Sequence, residues 1–464
     1  MQSPVFWGVV AASATVAVVA ALIIAQDKKR PAADGELQIV SLKFDHDADP
    51  SLGSIHFRSN QSNAPVSMEF SKGSNEQINM SGVFIPALLT NPRLTITVKF
   101  VSSTAESLRC KLSAQELDSA RPLLGNVSIN EINIGQNETK TIDVNLSLSD
   151  LIKNASISKN SNTWKWSFQD LDNKQSKFII NSNHLVYTLP NTPKHPWNSA
   201  AGAYNAGDIT YVWTDVIDVL IKMVPPASTD VIGALTTSHN NSSSFRYDTT
   251  RGASFYTDDQ RRVKMSKYLN DRSSPTRKPL NCTDCANLVA TLAASAGVHA
   301  YTNIMFSNFN LNKIIPIGCD NENPSWVVPF GGGFSYHEIT LSEPTARQDI
   351  GIYDACLKVD QGQYPGQGDV SGKTAYLPAN YAYAQTSSPK VNVPVNTPYK
   401  GAFYRERLVK DQQVVNMYLM ALEPVGISSE VTSMERKDID NSSLAKFKKM
   451  IRTQFGLDDL PIRD

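Results

Sequence analysis

The stretch from Leu280 to Ala300 carries the residue types and spacing most capable of chemistry. Cys282 precedes a run of apolar residues at helical spacing, and Gly297 follows where a glycine commonly ends a helix. Cys282 therefore falls at the start of a predicted helix over 283–296. Unpaired N–H groups and the helix dipole favour a thiolate there, and the same amides can hold the oxyanion formed when the thiolate attacks an acyl carbon.

Five residues of this stretch have a distinctive order and spacing: Cys282, Asp284, Ala286, Gly297 and Val298. Their pattern resembles that of the transglutaminase-like superfamily within the papain-like cysteine hydrolases and acyl transferases. A Phe-Arg-Tyr-Asp run at 245–248 is similar to the Tyr-Asp stretch that often precedes the cysteine of this family. The resemblance covers about residues 245–358 and implies an α+β fold for that part.

The resemblance also implies the partners of the cysteine. The family places its histidine on a following strand and its aspartate at the end of the next, and His337 and Asp354 fit those places in predicted strands over 334–341 and 350–358. It thus implies Cys282 as nucleophile, His337 as base and Asp354 as the group that orients the base. Attack on a carboxamide would form a thioester, which water or a second amine then resolves. The reaction implies no cofactor and no metal.

The spacing Cys282-x-x-Cys285 admits two other interpretations. A CxxC pair at the start of a helix can be a redox centre, and with Cys319 and Cys356 it could supply four thiolates to structural zinc. A redox pair would be expected early in a βαβ unit, and zinc sites mostly use a second close pair of ligands. The nucleophile interpretation instead predicts that Cys282 faces a cleft while Cys285 faces the core as a neutral thiol.

The composition restricts the partners. The chain has 464 residues, 41% hydrophobic and 19% charged, as expected of packed globular domains. Lys plus Arg and Asp plus Glu number 44 each, so no net charge draws the protein to nucleic acid. Its five cysteines are too few for a disulfide-built fold. We predict a peptide or protein substrate and no nucleic-acid partner, and the sequence carries no prediction of oligomeric state.

An apolar run over 4–25 has the length of a membrane-spanning helix, about 20 residues. It predicts a membrane anchor within 1–30, so the membrane is a predicted partner. The alternative is a cleaved signal segment, although the start of the chain lacks the usual basic residues. The predicted localisation is membrane-anchored with the soluble part extracytoplasmic. The basic residues Lys28, Lys29 and Arg30 after the run leave the cytoplasmic side as the other possibility.

The period of the apolar residues divides the chain after residue 30 into domains. Alternation of apolar and polar residues, as over 94–100 and 142–148, predicts short strands and an immunoglobulin-like β-sandwich. Helical spacing begins after residue 208, with helices predicted near 257–270, 283–296, 402–421 and 442–455. The predicted domains are a β-sandwich over 36–190, a linker over 191–207, a transglutaminase-like domain over 208–400 and a helical extension over 401–464.

The predicted fold class is thus multidomain: an N-terminal transmembrane helix, an all-β immunoglobulin-like sandwich, and an α+β transglutaminase-like domain of papain-like type. The predicted function is that of a membrane-anchored cysteine acyl transferase or hydrolase. The alternative is a catalytically inactive binding or surface-assembly module that keeps the same fold. Electrophilic labelling of Cys282 separates the two, because only the enzyme needs a reactive thiolate there.

Overall fold

The structure is a computed structural model, and every structural statement concerns the residues it describes. These residues are 35–44, 54–55, 57–58, 69–71, 78–88, 92–118, 121–154, 156–197, 212–226, 228–311, 314–319, 333–344, 352–359, 390–393, 404, 408–409, 415–418 and 421–427.

Alternation in the first part of the chain becomes β-structure. In β5 every second side chain is buried, namely Leu94, Ile96, Val98 and Phe100, which confirms the strand predicted over 94–100. The first ten strands are β1 (Glu36–Phe44), β2 (Phe57–Arg58), β3 (Glu69–Ser71), β4 (Ile78–Phe84), β5 (Arg93–Val101), β6 (Ser107–Glu116), β7 (Val127–Gly135), β8 (Thr139–Asn145), β9 (Ser158–Asp170) and β10 (Ser176–Thr188).

Nine of these strands form two sheets, with strand orders β3-β1-β5-β8 and β4-β10-β9-β6-β7. All neighbours within the two sheets run antiparallel except β4 and β10, which are parallel. The buried apolar side chains of both sheets belong to one hydrophobic core, which continues into the second part of the chain. The core includes the indoles of Trp164 and Trp166, which pack edge to face with ring centroids 5.7 Å apart.

The second part of the chain combines helices with short strands. The helices are α1 (Asp150–Lys153), α2 (Thr214–Met223), α3 (Val231–Asn240), α4 (Met265–Asp271) and α5 (Cys282–Ser295), of which α1 precedes β9. The strands are β11 (Val212–Trp213), β12 (Phe245–Tyr247), β13 (Arg262–Val263), β14 (Lys278–Leu280), β15 (Tyr301–Asn310), β16 (Ile314–Pro316), β17 (Gly333–Leu341), β18 (Ile352–Tyr353), β19 (Leu357–Val359), β20 (Lys390–Val393), β21 (Val415–Tyr418) and β22 (Gly426–Ile427).

Helix α5 is the centre of this part and packs against β17. All 14 of its residues are buried, so it is a core helix and not the one-faced helix that the sequence predicted. Its end has the geometry that Gly297 predicted: φ is +78°, and the N–H groups of Gly297 and Val298 bond to the carbonyls of Ala294 and Ala293. A Cβ on Gly297 would lie 2.5 Å from Asn191, so glycine is also required by close packing.

The sheet that holds the histidine has the strand order β18-β17-β15-β21-β20. Strands β15 and β17 pair antiparallel, with Met305 opposite His337, and β18 pairs with the other edge of β17. Thr340 on β17 donates a hydrogen bond to the carbonyl of Ala286 on α5, at 3.2 Å. The helix that begins at Cys282 and the strand that contains His337 are therefore directly bonded.

These elements correct the predicted fold class. The described residues are mostly β-sheet, with 22 strands and five α-helices, whereas the sequence predicted an α+β second half and a helical extension over 401–464. Val415–Tyr418 lies inside the helix predicted over 402–421, yet it forms β21 because its backbone pairs with β15 and β20. The helix predicted over 257–270 begins only at Met265. Strand pairing here overrides local periodicity.

The predicted membrane anchor and localisation are corrected as well. Among the described residues, no helix is both long enough and apolar enough to cross a membrane. The apolar run over 4–25 lies outside those residues, as does the helix predicted over 442–455. The anchor prediction rested on the length and hydropathy of this run. We therefore retain neither the transmembrane helix nor the membrane-anchored localisation.

Candidate active site

The start of α5 fixes Cys282 through its capping residues. The Asn281 side chain accepts a hydrogen bond from the backbone N–H of Asp284 at 3.0 Å, and the Asp284 carboxylate accepts one from the backbone N–H of Asn281 at 3.3 Å. This reciprocal capping box makes Cys282 the first residue of the helix. The position that the sequence predicted for Cys282 is confirmed.

Asp284 does more than cap the helix. Its carboxylate also accepts hydrogen bonds from the Ser254 hydroxyl at 3.0 Å and from the backbone N–H groups of Phe255, Tyr256 and Thr257 at 2.7, 2.9 and 2.8 Å. Burial raises the pKa of Asp284, and the donated backbone hydrogen bonds counteract that rise. Asp284 therefore docks the segment over 254–257 onto the start of α5, a role that the sequence did not predict.

His337 and Asp354 meet directly. His337 Nε2 lies 2.9 Å from Asp354 Oδ2, and both side chains are buried, at 0% and 2% exposure. The other carboxylate oxygen accepts the backbone N–H groups of Cys356 at 2.8 Å and Leu357 at 3.1 Å. The Tyr404 hydroxyl donates to Oδ2, the oxygen that His337 also uses. Asp354 thus receives four hydrogen bonds, which hold it as an oriented anion.

The charge of Asp354 dominates the protonation of His337. Burial alone would lower the pKa of His337, but the charge and hydrogen bond of Asp354, with a smaller contribution from Cys282, raise it from 6.5 to about 10. At neutral pH the ring is an imidazolium. A carboxylate only accepts hydrogen bonds, so Nε2 carries a proton in either state of the ring. The remaining nitrogen, Nδ1, is the one that can exchange a proton.

Cys282 interacts with the His337 ring. Nδ1 makes no hydrogen bond within the described residues, although Cys282 acts on the pKa of His337 both as a charge and as a hydrogen-bonding thiol. The thiol is therefore near the ring without a well-aligned hydrogen bond, which is common in catalytic sites without substrate. The structure brings His337 and Asp354 together and places Cys282 next to them.

Two tyrosines approach the same place. The Tyr336 hydroxyl lies 3.3 Å from the Thr283 hydroxyl in the first turn of α5, and either can be the donor. Burial raises the pKa of Tyr247 and of Tyr336, and Cys282 is the largest charge acting in the same direction on each. Both phenols are therefore neutral. Cys282 itself is only 3% exposed, which corrects the prediction that its thiol opens onto a cleft.

Two of the residues at the site had no signal in the sequence. Tyr404 lies 50 positions after Asp354, outside any motif, and only folding brings its hydroxyl to the carboxylate. Tyr336 directly precedes His337, and the sequence pattern marks it only as part of the strand predicted over 334–341. By contrast Tyr247 belongs to the Phe-Arg-Tyr-Asp run, which forms β12 and the turn after it.

The other cysteines bear on the redox and zinc interpretations. Cys285 is buried and faces the core as predicted; burial raises its pKa, while its hydrogen bond with the Cys356 thiol opposes that rise. None of the five cysteines, all of which the structure describes, forms a disulfide bond. Within the described part of the chain, no group of three or more His, Cys, Asp or Glu side chains could hold a metal ion. No observation on the described residues favours the redox pair or the zinc site.

Two solved structures resemble the chain distantly. No protein-family model and no curated protein matches the chain. The N-terminal domain of PorA is 5% identical, with a TM-score of 0.16, over 30% of this chain and 98% of that one. A transglutaminase of red sea bream is 11% identical, with a TM-score of 0.31, over 82% of this chain and 65% of its own length. At such TM-scores the chemistry must be judged from the site itself.

Proposed function

We propose that Cys282, His337 and Asp354 form the catalytic site of a cysteine acyl transferase or hydrolase that acts on a carboxamide or peptide bond of a peptide or protein. One observation carries the proposal. His337 is bound through Nε2 to a buried carboxylate that accepts four hydrogen bonds in all, and Cys282, at the start of a helix, interacts with the same ring. A histidine that only fills space needs no such carboxylate.

The reaction follows from these protonation states. In the proposed resting pair Nδ1 of His337 already holds the proton of Cys282, and the thiolate attacks the carbonyl carbon of the substrate. The tetrahedral intermediate expels an amine or ammonia, which takes the proton back from Nδ1, and a thioester remains. Water or a second amine then loses a proton to Nδ1 and attacks the thioester, and the collapse of the second tetrahedral intermediate releases the Cys282 thiolate beside the protonated ring. Asp354 stays ionised and keeps the imidazolium oriented throughout.

The start of α5 supplies the stabilisation of the oxyanion. Amides in the first turn of a helix have no intrahelical acceptor, and the dipole adds positive potential at that end. The Tyr336 phenol lies at the same turn, bonded to Thr283, and its raised pKa keeps it a donor. A carbonyl oxygen beside Cys282 would therefore meet backbone donors and a neutral phenol.

The burial of the site favours a second candidate function. Cys282, His337 and Asp354 are 3%, 0% and 2% exposed, so a substrate reaches the thiol only after neighbouring groups move. A binding module that kept the fold without turnover would have the same closed arrangement. In such a module the thiol would have no reason to be reactive.

Labelling with an electrophilic acyl probe tests the proposal. The full chain is incubated with the probe near neutral pH, and the modified residue is identified by peptide mapping. We expect modification at Cys282 and its loss in Cys282→Ala. Cys285→Ala is the matched control, because it removes a buried thiol three residues away that has a raised pKa; it should still be labelled.

Three outcomes would contradict the proposal. Wild-type protein that is never labelled under native conditions would support the binding module. Equal labelling of Cys282 and Cys285, unaffected by replacing His337, would support the redox pair. Labelling that persists in Cys282→Ala would place the reactive nucleophile elsewhere.

A further inference from the structure

A buried ion pair lies beside the candidate site and takes no part in the proposed reaction. Arg261 and Glu338 form it with side chains that are 1% and 0% exposed. Glu338 is the residue directly after His337, and Arg261 lies in the segment before β13, 77 positions away. The pair is therefore withdrawn from water at the strand residue that follows the proposed base.

The pair belongs to a network that joins four elements. Besides Glu338, Arg261 Nη2 donates to the Thr302 hydroxyl on β15 at 2.8 Å and to the Asn287 amide oxygen on α5 at 3.4 Å. The Asn287 amide nitrogen in turn donates to Glu338 Oε1 at 3.1 Å and to the carbonyl of Thr283 at 2.8 Å. Through Asn287 the network reaches the first turn of the helix that begins at Cys282.

Stability alone does not account for these charges. Desolvating two ions costs free energy that their attraction only partly returns, so an apolar replacement of both is often as stable. Arg261 also has φ of +63°, in the left-handed region that bulky residues rarely adopt. A strained backbone and two buried charges at one place indicate a requirement other than packing.

We propose that Arg261, Glu338 and Asn287 are positioning residues that set the spacing between the Cys282 helix and the His337 strand. The role rests on the proposed function. Nδ1 of His337 makes no hydrogen bond within the described residues, so no such bond fixes the distance between the His337 ring and Cys282. The network bonds the neighbour of the base to the helix of the nucleophile and supplies that constraint. Small displacements of reacting groups have large effects on rate.

The test is the second-order rate constant for alkylation of Cys282 by iodoacetamide, measured on the full chain. The double variant Arg261→Met/Glu338→Leu removes both charges at similar volume. We expect an unfolding midpoint near that of wild type and a rate constant about tenfold lower. Thr340→Val is the matched control, since it removes a different hydrogen bond between the same helix and strand, and its rate should stay within about twofold of wild type.

A double-mutant cycle separates positioning from general loosening. If the network acts through His337, adding Arg261→Met/Glu338→Leu to His337→Ala should cause no further loss of rate, whereas an independent structural effect would add. If the double variant does not fold, Asn287→Ala replaces it, because that change breaks the bridge to the helix and leaves the ion pair. A rate several-fold lower for Asn287→Ala supports the proposal.

The failure of this proposal is distinct from the failure of the proposed function. A folded double variant, or Asn287→Ala in its place, that is alkylated as fast as wild type would overturn the positioning role alone, provided that wild type depends on His337. A wild-type rate that is unchanged by His337→Ala would remove the proposed function, and the positioning role with it.

Discussion

Two regions of the molecule each bury a histidine, and the two rings have pKa values displaced in opposite directions. His184, on β10, is 1% exposed, and its Nε2 lies 2.7 Å from the hydroxyl of Ser182; burial lowers its pKa to about 3. His337, on β17, is 0% exposed, and its pKa is raised to about 10. The degree of burial is the same, so burial cannot be the reason for the difference.

The neighbours of each ring explain it. His184 packs among aromatic side chains, with its centroid 4.7 Å from that of Trp164 and 5.7 Å from that of Phe44, and no charge is among the causes of its shift. His337 has Asp354 at hydrogen-bonding distance. A carboxylate inside the protein offsets the desolvation of the imidazolium, whereas aromatic rings and a hydroxyl do not.

A third histidine shows that the direction of the pKa shift does not depend on which part of the chain holds the ring. His239, on α3, belongs to the same part as His337, yet burial, with Arg272 as a smaller cause, lowers its pKa to about 3. It stacks on Phe245 and contacts the Tyr268 hydroxyl at 3.2 Å. His184 and His239 are packing histidines, and the buried carboxylate is the main feature that distinguishes His337 from them.

The largest test of this comparison exchanges the histidines. His337→Ala should lower the alkylation rate of Cys282 by about 100-fold, the usual size of a general-base contribution. His184→Gln removes a histidine that is equally buried but has no carboxylate, so it should change the unfolding midpoint and leave the alkylation rate within about twofold. Equal losses of rate in both variants would mean that buried histidines matter here only through stability.

The pH dependence of stability should have opposite signs for the two rings. His337 has a raised pKa when folded, so its contribution is fully present below pH 6.5 and is lost as pH rises toward about 10. His184 has a lowered pKa, so its contribution is present above pH 6.5 and is lost as pH falls toward about 3. Each slope is at most about 1.4 kcal/mol per pH unit.

Chemical denaturation across this range measures both contributions. The difference in free energy of unfolding between wild type and His337→Gln should decrease from pH 6.5 to 10, and the difference for His184→Gln should decrease from pH 6.5 to 3. A difference for His337→Gln that is independent of pH would mean that the ring is neutral in the folded protein and is not paired with the Asp354 charge.

The sequence predicted the parts of the site that depend on local structure. An apolar run at helical spacing and a glycine that can end a helix, Gly297, predicted α5, so the place of Cys282 followed from a few neighbouring positions. Tyr404 and the pair of Arg261 with Glu338 depend on contacts between distant segments, for which one sequence contains no signal. The strand Val415–Tyr418 was missed for the same reason, because pairing with β15 decides its conformation.

The smallest expected effect concerns the donor that Tyr404 adds to the carboxylate. Tyr404→Phe removes one of four hydrogen bonds to Asp354, and the three from His337, Cys356 and Leu357 still hold it. Alkylation of Cys282 should therefore slow by only about two- to tenfold, the equivalent of one hydrogen bond. The sign of the accompanying pKa change is definite. Less of the Asp354 charge is then neutralised by donors other than His337, so the pKa of His337 should rise further.

A second tyrosine provides the control for this substitution. The Tyr256 hydroxyl donates to Asp271 Oδ2 at 2.8 Å, so Tyr256→Phe breaks the same kind of bond outside the site. Both variants should lose a similar amount of stability, about 1 to 3 kcal/mol. Only Tyr404→Phe should also slow alkylation and move the alkaline limb of its pH profile to higher pH. If the two profiles coincide, Tyr404 holds Asp354 in place without affecting His337, and the difference between the two buried histidines depends on Asp354 alone.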